Sequence, residues 1–176
     1  MKNYKNLRNF DYGIKTPFKV VSGLSPYISK GIIKEKSILK KLYNSKNPCQ
    51  KFIQEVFWRI YWKGWLEQNK NIWKSYKRQL IKENEIINKT ANYNLYKKAI
   101  VGCTELEPFD TWVYQLKSTG YLHNHARMWF ASIWIHYFSL HWTLGANLFY
   151  ENLLDADVAS NTLSWRWVAG LHTKGK

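Results

Sequence analysis

Only two cysteines, Cys49 and Cys103, occur in the 176 residues, and their spacing makes neither a metal-ligand pattern nor a disulfide framework. A reduced, intracellular and cytoplasmic setting is therefore the expectation. Four prolines and nine glycines are few for this length, which argues for long uninterrupted elements. No apolar run reaches the roughly 18 residues that a membrane-spanning helix needs. The opening Met1-Lys2-Asn3-Tyr4 does not lead into the apolar stretch of a signal peptide. A soluble protein without a membrane partner is expected. No stretch alternates polar and apolar residues for long enough to demand a strand, and no repeat or low-complexity tract is present. What remains is an all-helical domain of about seven helices.

Acidic residues are scarce as well: 12 Asp and Glu stand against 27 Lys and Arg, for a formal charge of +15. The imbalance is local. Residues 1–98 carry 22 basic against 6 acidic side chains, and residues 99–176 carry 5 against 6. In place of acids there are aromatics, with ten Trp, twelve Tyr and eight Phe. A basic half beside a neutral, aromatic half suits a polyanion such as DNA held over an aromatic pocket.

Helical spacing locates the elements. Leu24-Ser25-Pro26-Tyr27 reads as a turn into a helix, with Ser25 as cap and Pro26 at the first helical position, ended by Gly31. A second helix is expected over 34–43. Cys49 to Gln68 forms an amphipathic helix on Phe52, Val56 and Ile60. Residues 69–96 are polar with sparse anchors at Trp73, Tyr76 and Leu80, and read as loosely packed helix and loop. Further helices are expected over 109–118, 124–137, 144–153 and within 155–167.

Four clusters carry chemistry. Glu55, Trp58 and Arg59 stand at i, i+3 and i+4 and share a helix face; Asn124, Arg127 and Met128 repeat that geometry. Glu55 is there either as an ion-pair partner of Arg59 or as a hydrogen-bond acceptor for a ligand. Asp155-Ala156-Asp157 and Ser160-Asn161 precede Trp165-Arg166-Trp167. An apolar core does not need this mixture, because each buried polar group must find a partner. Together the clusters describe the wall of a pocket for something large, flat and polar-edged.

These residues resemble the flavin-binding helical domain of the photolyase and cryptochrome family. The resemblance runs from about Val21 to Lys176, leaving residues 1–20 as an N-terminal extension of a partial domain. It is carried by Leu24-Ser25-Pro26-Tyr27 with Gly31, by Glu55 to Tyr61, by Ser118-Thr119-Gly120-Tyr121-Leu122-His123-Asn124 through Met128, and by Asp155-Ala156-Asp157-Val158-Ala159-Ser160-Asn161 running into Gly170.

The resemblance implies an FAD cofactor and assigns roles. Ser22, Leu24 and Ser25 would hold its phosphates, where hydroxyls and amides suit an anion. Tyr121 would lie near the adenine, Arg127 would pair with Asp155 under the ring system, Asp157 would accept from the ring edge, and Asn161 would face flavin N5. Glu55, Trp58, Asn124, Met128 and Trp167 would line the opening that receives a flipped-out pyrimidine dimer, with Asn124 also near the cofactor. Asn124 and Met128 favour a cyclobutane dimer; His123 and His125 read as surface or capping residues. Trp165 and Trp142 look like the proximal and middle members of the family's electron relay. The distal position holds no tryptophan, and the matching stretch offers Tyr93 and Tyr96. No metal is implied.

The activity so implied is light-driven repair of cyclobutane pyrimidine dimers in DNA by electron transfer. Relatives usually begin with an α/β antenna domain of roughly 200 residues, and they continue beyond His172-Thr173-Lys174-Gly175-Lys176. A second chromophore is therefore not expected, and a partner chain supplying further helices is. Glu105-Leu106-Glu107 also departs from the family pattern. Two other readings stay open: a cryptochrome-like photoreceptor, and a remnant acting as a partner-dependent structural module.

Overall fold

Ten α-helical segments, a 3-10 turn and a π-helical turn make up all the regular structure of the computed structural model, which describes residues 4–46 and 48–172. The lead-in at Met1–Asn3 and the close at Thr173–Lys176 lie outside the described residues. The expectation of an all-α chain holds. The helices are α1 (Tyr4–Leu7), α2 (Ser25–Ser29), α3 (Glu35–Tyr43), α4 (Gln50–Gln68), α5 (Lys70–Ile86), α6 (Tyr93–Val101), α7 (Glu107–Thr119), α8 (Asn124–Ser132), α9 (Trp142–Asn152) and α10 (Val158–Val168). The count exceeds the expected seven because α1 is an added one-turn piece and because α5 and α6 emerge from the stretch read as loose.

The largest correction is α5. Its anchors Trp73, Tyr76 and Leu80 are few, but they fall three and four apart on one face and pack into the main core. Seventeen residues are helical as a result. The break from α4 comes at Asn69, whose side chain donates to the Trp65 carbonyl. A second correction concerns Ser25. It is the first residue inside α2 rather than its cap; Leu24 occupies the cap position without a side-chain bond.

Caps elsewhere fix the elements that matter for the site. His123 Nδ1 accepts from the His125 amide at the start of α8, and Asp157 Oδ1 accepts from the Ser160 amide at the start of α10. Gly120 ends α7 at φ +65°, and its carbonyl accepts from Leu154 N–H. A Cβ there would meet the Leu154 side chain at 2.5 Å, so only glycine permits this seam. The helix expected over 124–137 ends at Ser132 and continues as a π-helical turn, Ile133–Tyr137.

The main core lies among α5 to α10, around Phe109, Leu116, Phe130, Trp134 and Phe149. A smaller one joins Tyr4, Ile28, Ile38, Phe52 and Val56. Leu66 of α4 meets Ala159 and Leu163 of α10 in a third. Part of the expected extension, Tyr4 to Arg8, packs on α4: the Tyr4 ring meets Phe52 edge-on at 5.4 Å. Among the described residues no helix is long and apolar enough to cross a membrane.

Candidate functional site

A cavity of about 480 Å³ opens between the smaller core and α8 and α10. Thirteen of the fifteen residues singled out from sequence line it: Ser22, Ser25, Glu55, Trp58, Tyr121, Asn124, Arg127, Met128, Asp155, Asp157, Asn161, Trp165 and Trp167. Helical spacing explains the convergence, since α4 presents Glu55, Trp58 and Arg59 on one face and α8 presents Asn124, Arg127 and Met128 on another.

The floor is an ion pair. Arg127 Nη2 donates to both oxygens of Asp155 at 3.0 Å, and its Nε donates to the Leu122 carbonyl at 2.8 Å. Burial pushes the Asp155 carboxyl up, but the Arg127 charge and its hydrogen bonds outweigh this and hold it below the ordinary value. The guanidinium also lies over the Tyr121 ring, 5.7 Å from its centroid. Asn161 Nδ2 donates to the Ala146 carbonyl at 2.8 Å, which leaves its Oδ1 as the acceptor available to the cavity. The side chain is thereby aimed by the backbone of α9.

Arg59 spans the cavity wall. Its Nη2 donates to Ser29 Oγ and lies 3.6 Å from Asp157 Oδ2, while Nε lies 3.6 Å from Glu35. Ser29 Oγ in turn donates to the Asp155 carbonyl at 2.8 Å. Arg59 Nε is buried without a hydrogen-bond partner. The two readings of Glu55 resolve in part: it does not pair with Arg59 but with Arg8 at 3.4 Å and Lys51 at 3.5 Å.

The mouth is aromatic. Trp58 of α4 is 53% exposed and Trp167 of α10 is 57% exposed, so each has a free ring face at the rim. Trp58 is backed by Trp62, stacked at 6.1 Å. Asn124 stands exposed among the lining residues, beside Met128.

Two expected residues lie elsewhere. Leu24 packs with the smaller core, and its amide donates to Ser22 Oγ. Trp142 sits away from the cavity, its ring 5.5 Å from Tyr76 and under the Arg166 guanidinium at 5.9 Å. Others were missed. Tyr4 and Arg8 line the cavity from the first twenty residues, and His123 is buried with Nε2 2.9 Å from the Arg8 carbonyl. Nothing local in sequence points to that contact across 115 positions. Arg59, already placed on the face of Glu55 and Trp58, lines the cavity with them, and Trp62 was legible in principle because it stands four residues beyond Trp58 on the same helix.

Comparison with known proteins places this geometry. The family profile described as "FAD binding domain of DNA photolyase" matches residues 52–176. A deoxyribodipyrimidine photo-lyase of Buchnera aphidicola subsp. Acyrthosiphon pisum is 30% identical over 184 residues, covering 97% of this chain and 37% of that protein. A cryptochrome DASH of Idiomarina loihiensis is 29% identical over 182 residues, covering 96% and 37%. Among solved structures, a class III photolyase from Agrobacterium tumefaciens superposes with a TM-score of 0.76 at 25% identity, over 95% of this chain and 34% of that one. A Synechocystis cryptochrome shares the fold, with a TM-score of 0.77 at 23% identity over 99% and 36%. The chain thus spans a little more than a third of the length of these curated relatives.

Proposed function

This chain belongs to the DNA photolyase and cryptochrome family, and from that membership we propose that it binds FAD in the cavity and serves light-driven repair of cyclobutane pyrimidine dimers in DNA. The observation that carries the reading is that the paired Arg127–Asp155 floor and the aimed Asn161 share one cavity with Glu55, Asn124, Trp58 and Trp167 at its mouth.

The residues present fit the cofactor. Arg59 keeps a buried Nε without a hydrogen bond at the cavity wall, with Glu35 Oε1 3.6 Å away, so this donor has room for a closer acceptor. Arg59, with the hydroxyls of Ser22 and Ser25, supplies the charge and donors that a diphosphate requires. Asp157 and the free Oδ1 of Asn161 are acceptors for the edge of a polar ring system. FAD, when bound and reduced, supplies a light-excitable one-electron donor. The protein's share is to hold, orient and exclude water. Asp155 fixes Arg127, Arg127 presents a positive charge under the cavity, and the α9 backbone holds Asn161 in one orientation.

Substrate recognition falls to the rim. Trp58 and Trp167 offer stacking faces to an extruded pyrimidine dimer, and Glu55 and Asn124 offer hydrogen bonds to its polar edges. Arg8 and Lys51, which hold Glu55 in this structure, are cations suited to flanking phosphates. The basic residues of positions 1–98 supply the salt-dependent part of DNA affinity.

A second reading, a flavin photoreceptor without repair, is favoured by the cryptochromes among the relatives. One experiment separates them. The purified chain is titrated with FAD in the dark and followed by absorption, then illuminated with a reductant and a thymine-dimer oligonucleotide. Bound flavin with falling dimer content supports repair. Bound flavin with constant dimer content supports the photoreceptor, and no bound flavin overturns both.

A further inference from the structure

We propose that His123 is a positioning residue for DNA: it fixes the backbone of Arg8 at the cavity mouth, so that the Arg8 guanidinium can pass from Glu55 to a backbone phosphate beside the extruded dimer. This role rests on the repair function proposed above, in which His123 has no part.

His123 is buried, and both of its ring nitrogens are engaged. Nδ1 accepts from the His125 amide at 3.2 Å, capping α8, and Nε2 lies 2.9 Å from the Arg8 carbonyl. An amide N–H can only donate and a carbonyl can only accept. One neutral tautomer therefore serves both, with its proton on Nε2. The His125 ring stacks on that of His123, 5.5 Å away at 15°, which helps to hold its plane. The bond to Arg8 spans 115 positions and ties the N-terminal segment to the helix that carries Asn124, Arg127 and Met128.

Arg8 therefore has a fixed base and a loose tip. Its carbonyl is held by His123, its amide donates to the Tyr4 carbonyl at 3.0 Å, and the Tyr4 ring packs on Phe52. The guanidinium meets Glu55 only at 3.4 Å, longer than the roughly 2.7–2.9 Å of a charge-assisted hydrogen bond. Glu55 has Lys51 at 3.5 Å as a second cation, and the Arg8 and Glu55 side chains are both partly exposed. A pair this long and this open to water is weak, and a phosphate offers the guanidinium a bidentate partner instead. Burial, with His123 and Arg8 close by, holds the His125 imidazole below its ordinary value, so His125 brings no charge of its own near pH 7.

The exchange also acts on Glu55. When Arg8 turns to a phosphate, the carboxylate keeps Lys51 and sheds one cation, which makes it a better acceptor for the polar edge of the dimer. One side chain thus links the grip on the strand outside the cavity to recognition of the bases at its mouth.

The test measures binding of the full chain, in the dark with FAD added, to short duplexes with and without a thymine dimer. Fluorescence anisotropy across a salt series gives affinity and the slope of log K against log salt. Arg8→Gln should weaken both duplexes about three- to tenfold and lower the slope by about 0.9, the worth of one phosphate contact. His123→Asn keeps an acceptor for the His125 amide but does not reach the Arg8 carbonyl, so it should lose most of the same slope. His123→Gln reaches that carbonyl but leaves the cap open. It should keep a parent-like slope while Tm falls by about 2–4 °C. Arg8→Gln with His123→Asn should bind within about twofold of Arg8→Gln alone.

A His123 that serves only the fold gives the opposite order, with Asn like the parent and Gln impaired. That order, a slope unchanged in Arg8→Gln, or additive losses in the double variant overturns the role. Weaker FAD binding in Arg8→Gln with an unchanged DNA slope assigns the guanidinium to the cofactor's diphosphate and overturns it as well. His123→Asn retains the cap, so the comparison stands even where His123→Gln does not fold. Failure of the repair function shows separately, as equal affinity of the parent chain for the two duplexes.

Discussion

Helices α5 to α10 seal Phe109, Val113, Leu116, Leu122, Phe130 and Trp134 at 0% exposure, whereas α1 to α4 gather around Tyr4, Ile28, Ile38, Phe52 and Val56, which keep 4–8% of their surface wet. The first region is a frame closed by apolar packing. The second is a charged wall tied to that frame by polar bonds: Ser29 to the Asp155 carbonyl, Arg59 to Asp157, and His123 to the Arg8 carbonyl. Its apolar seams with the frame include Leu66 against Ala159 and Leu163, and the Phe18 ring 4.7 Å from that of Tyr121. The cavity lies along this border. Apolar packing hardly exchanges partners, but a guanidinium or a hydroxyl does so readily, and a ligand entering the border can replace wall contacts one for one.

The sharpest way to break this contrast is to empty each core in turn. Phe109→Ala should destabilise the chain by about 3–5 kcal/mol and Phe52→Ala by roughly half as much, because the smaller cluster collapses more easily around the void. Denaturant midpoints measure both, and equal costs would make the two regions a single core. Next in size is Asp155→Asn, at about 3 kcal/mol, since it strips the charge partner from Arg127 at the border. The sign with pH follows from the depressed Asp155 carboxyl. Its contribution is complete above the ordinary value of 3.8 and is lost as pH falls through its lower folded value. Acid titration of stability should therefore be shallower in Asp155→Asn than in the parent.

A smaller effect belongs to the wall itself. Arg59→Ala should weaken FAD about 10- to 100-fold by equilibrium titration, the worth of a charge-assisted contact of about 1.4–2.7 kcal/mol. An unchanged affinity would mean that the buried Nε is satisfied some other way and that the wall does not trade its bonds with the cofactor.

Legibility in sequence followed the density of each helix's stripe rather than its region, so wall and frame were each read in part. α4 and α8 carry dense apolar and polar stripes, so Glu55 with Trp58 and Asn124 with Arg127 could be placed on shared faces before any coordinates. α5 was read as loose because Trp73, Tyr76 and Leu80 are too sparse to raise a strong period; their packing on α9 makes the helix. Tyr4 and Arg8 were invisible as cavity residues, since a bond between positions 8 and 123 leaves no local pattern. Trp134 reads as core in any sequence with ten tryptophans. Its place beside Trp165 depends on the missing Cβ of Gly145, which only three-dimensional packing reveals.

The smallest effect tests how loosely the wall is tied to itself. Lys63 Nζ donates to Glu35 Oε1 at 2.6 Å, joining α4 to α3, and Glu35 also has Arg59 at 3.6 Å. Burial pushes the Glu35 carboxyl up, yet the Lys63 hydrogen bond, its own backbone amide and the charges of Lys63 and Arg59 together hold it below 4.5. The Lys63 side chain is about a third exposed, so solvent screens the pair, and Lys63→Met should cost no more than about 1 kcal/mol. That cost is present above the ordinary carboxylate value and is lost as pH falls through the depressed folded value, because a protonated Glu35 has no charge for Lys63 to meet. Denaturation of parent and variant should therefore differ near pH 7 and converge in acid, once pH has fallen through the depressed Glu35 value. A difference that persists in acid would place the value of Lys63 in its aliphatic stem packing on α3 rather than in the ion pair, and would move this part of the wall toward the frame's way of holding together.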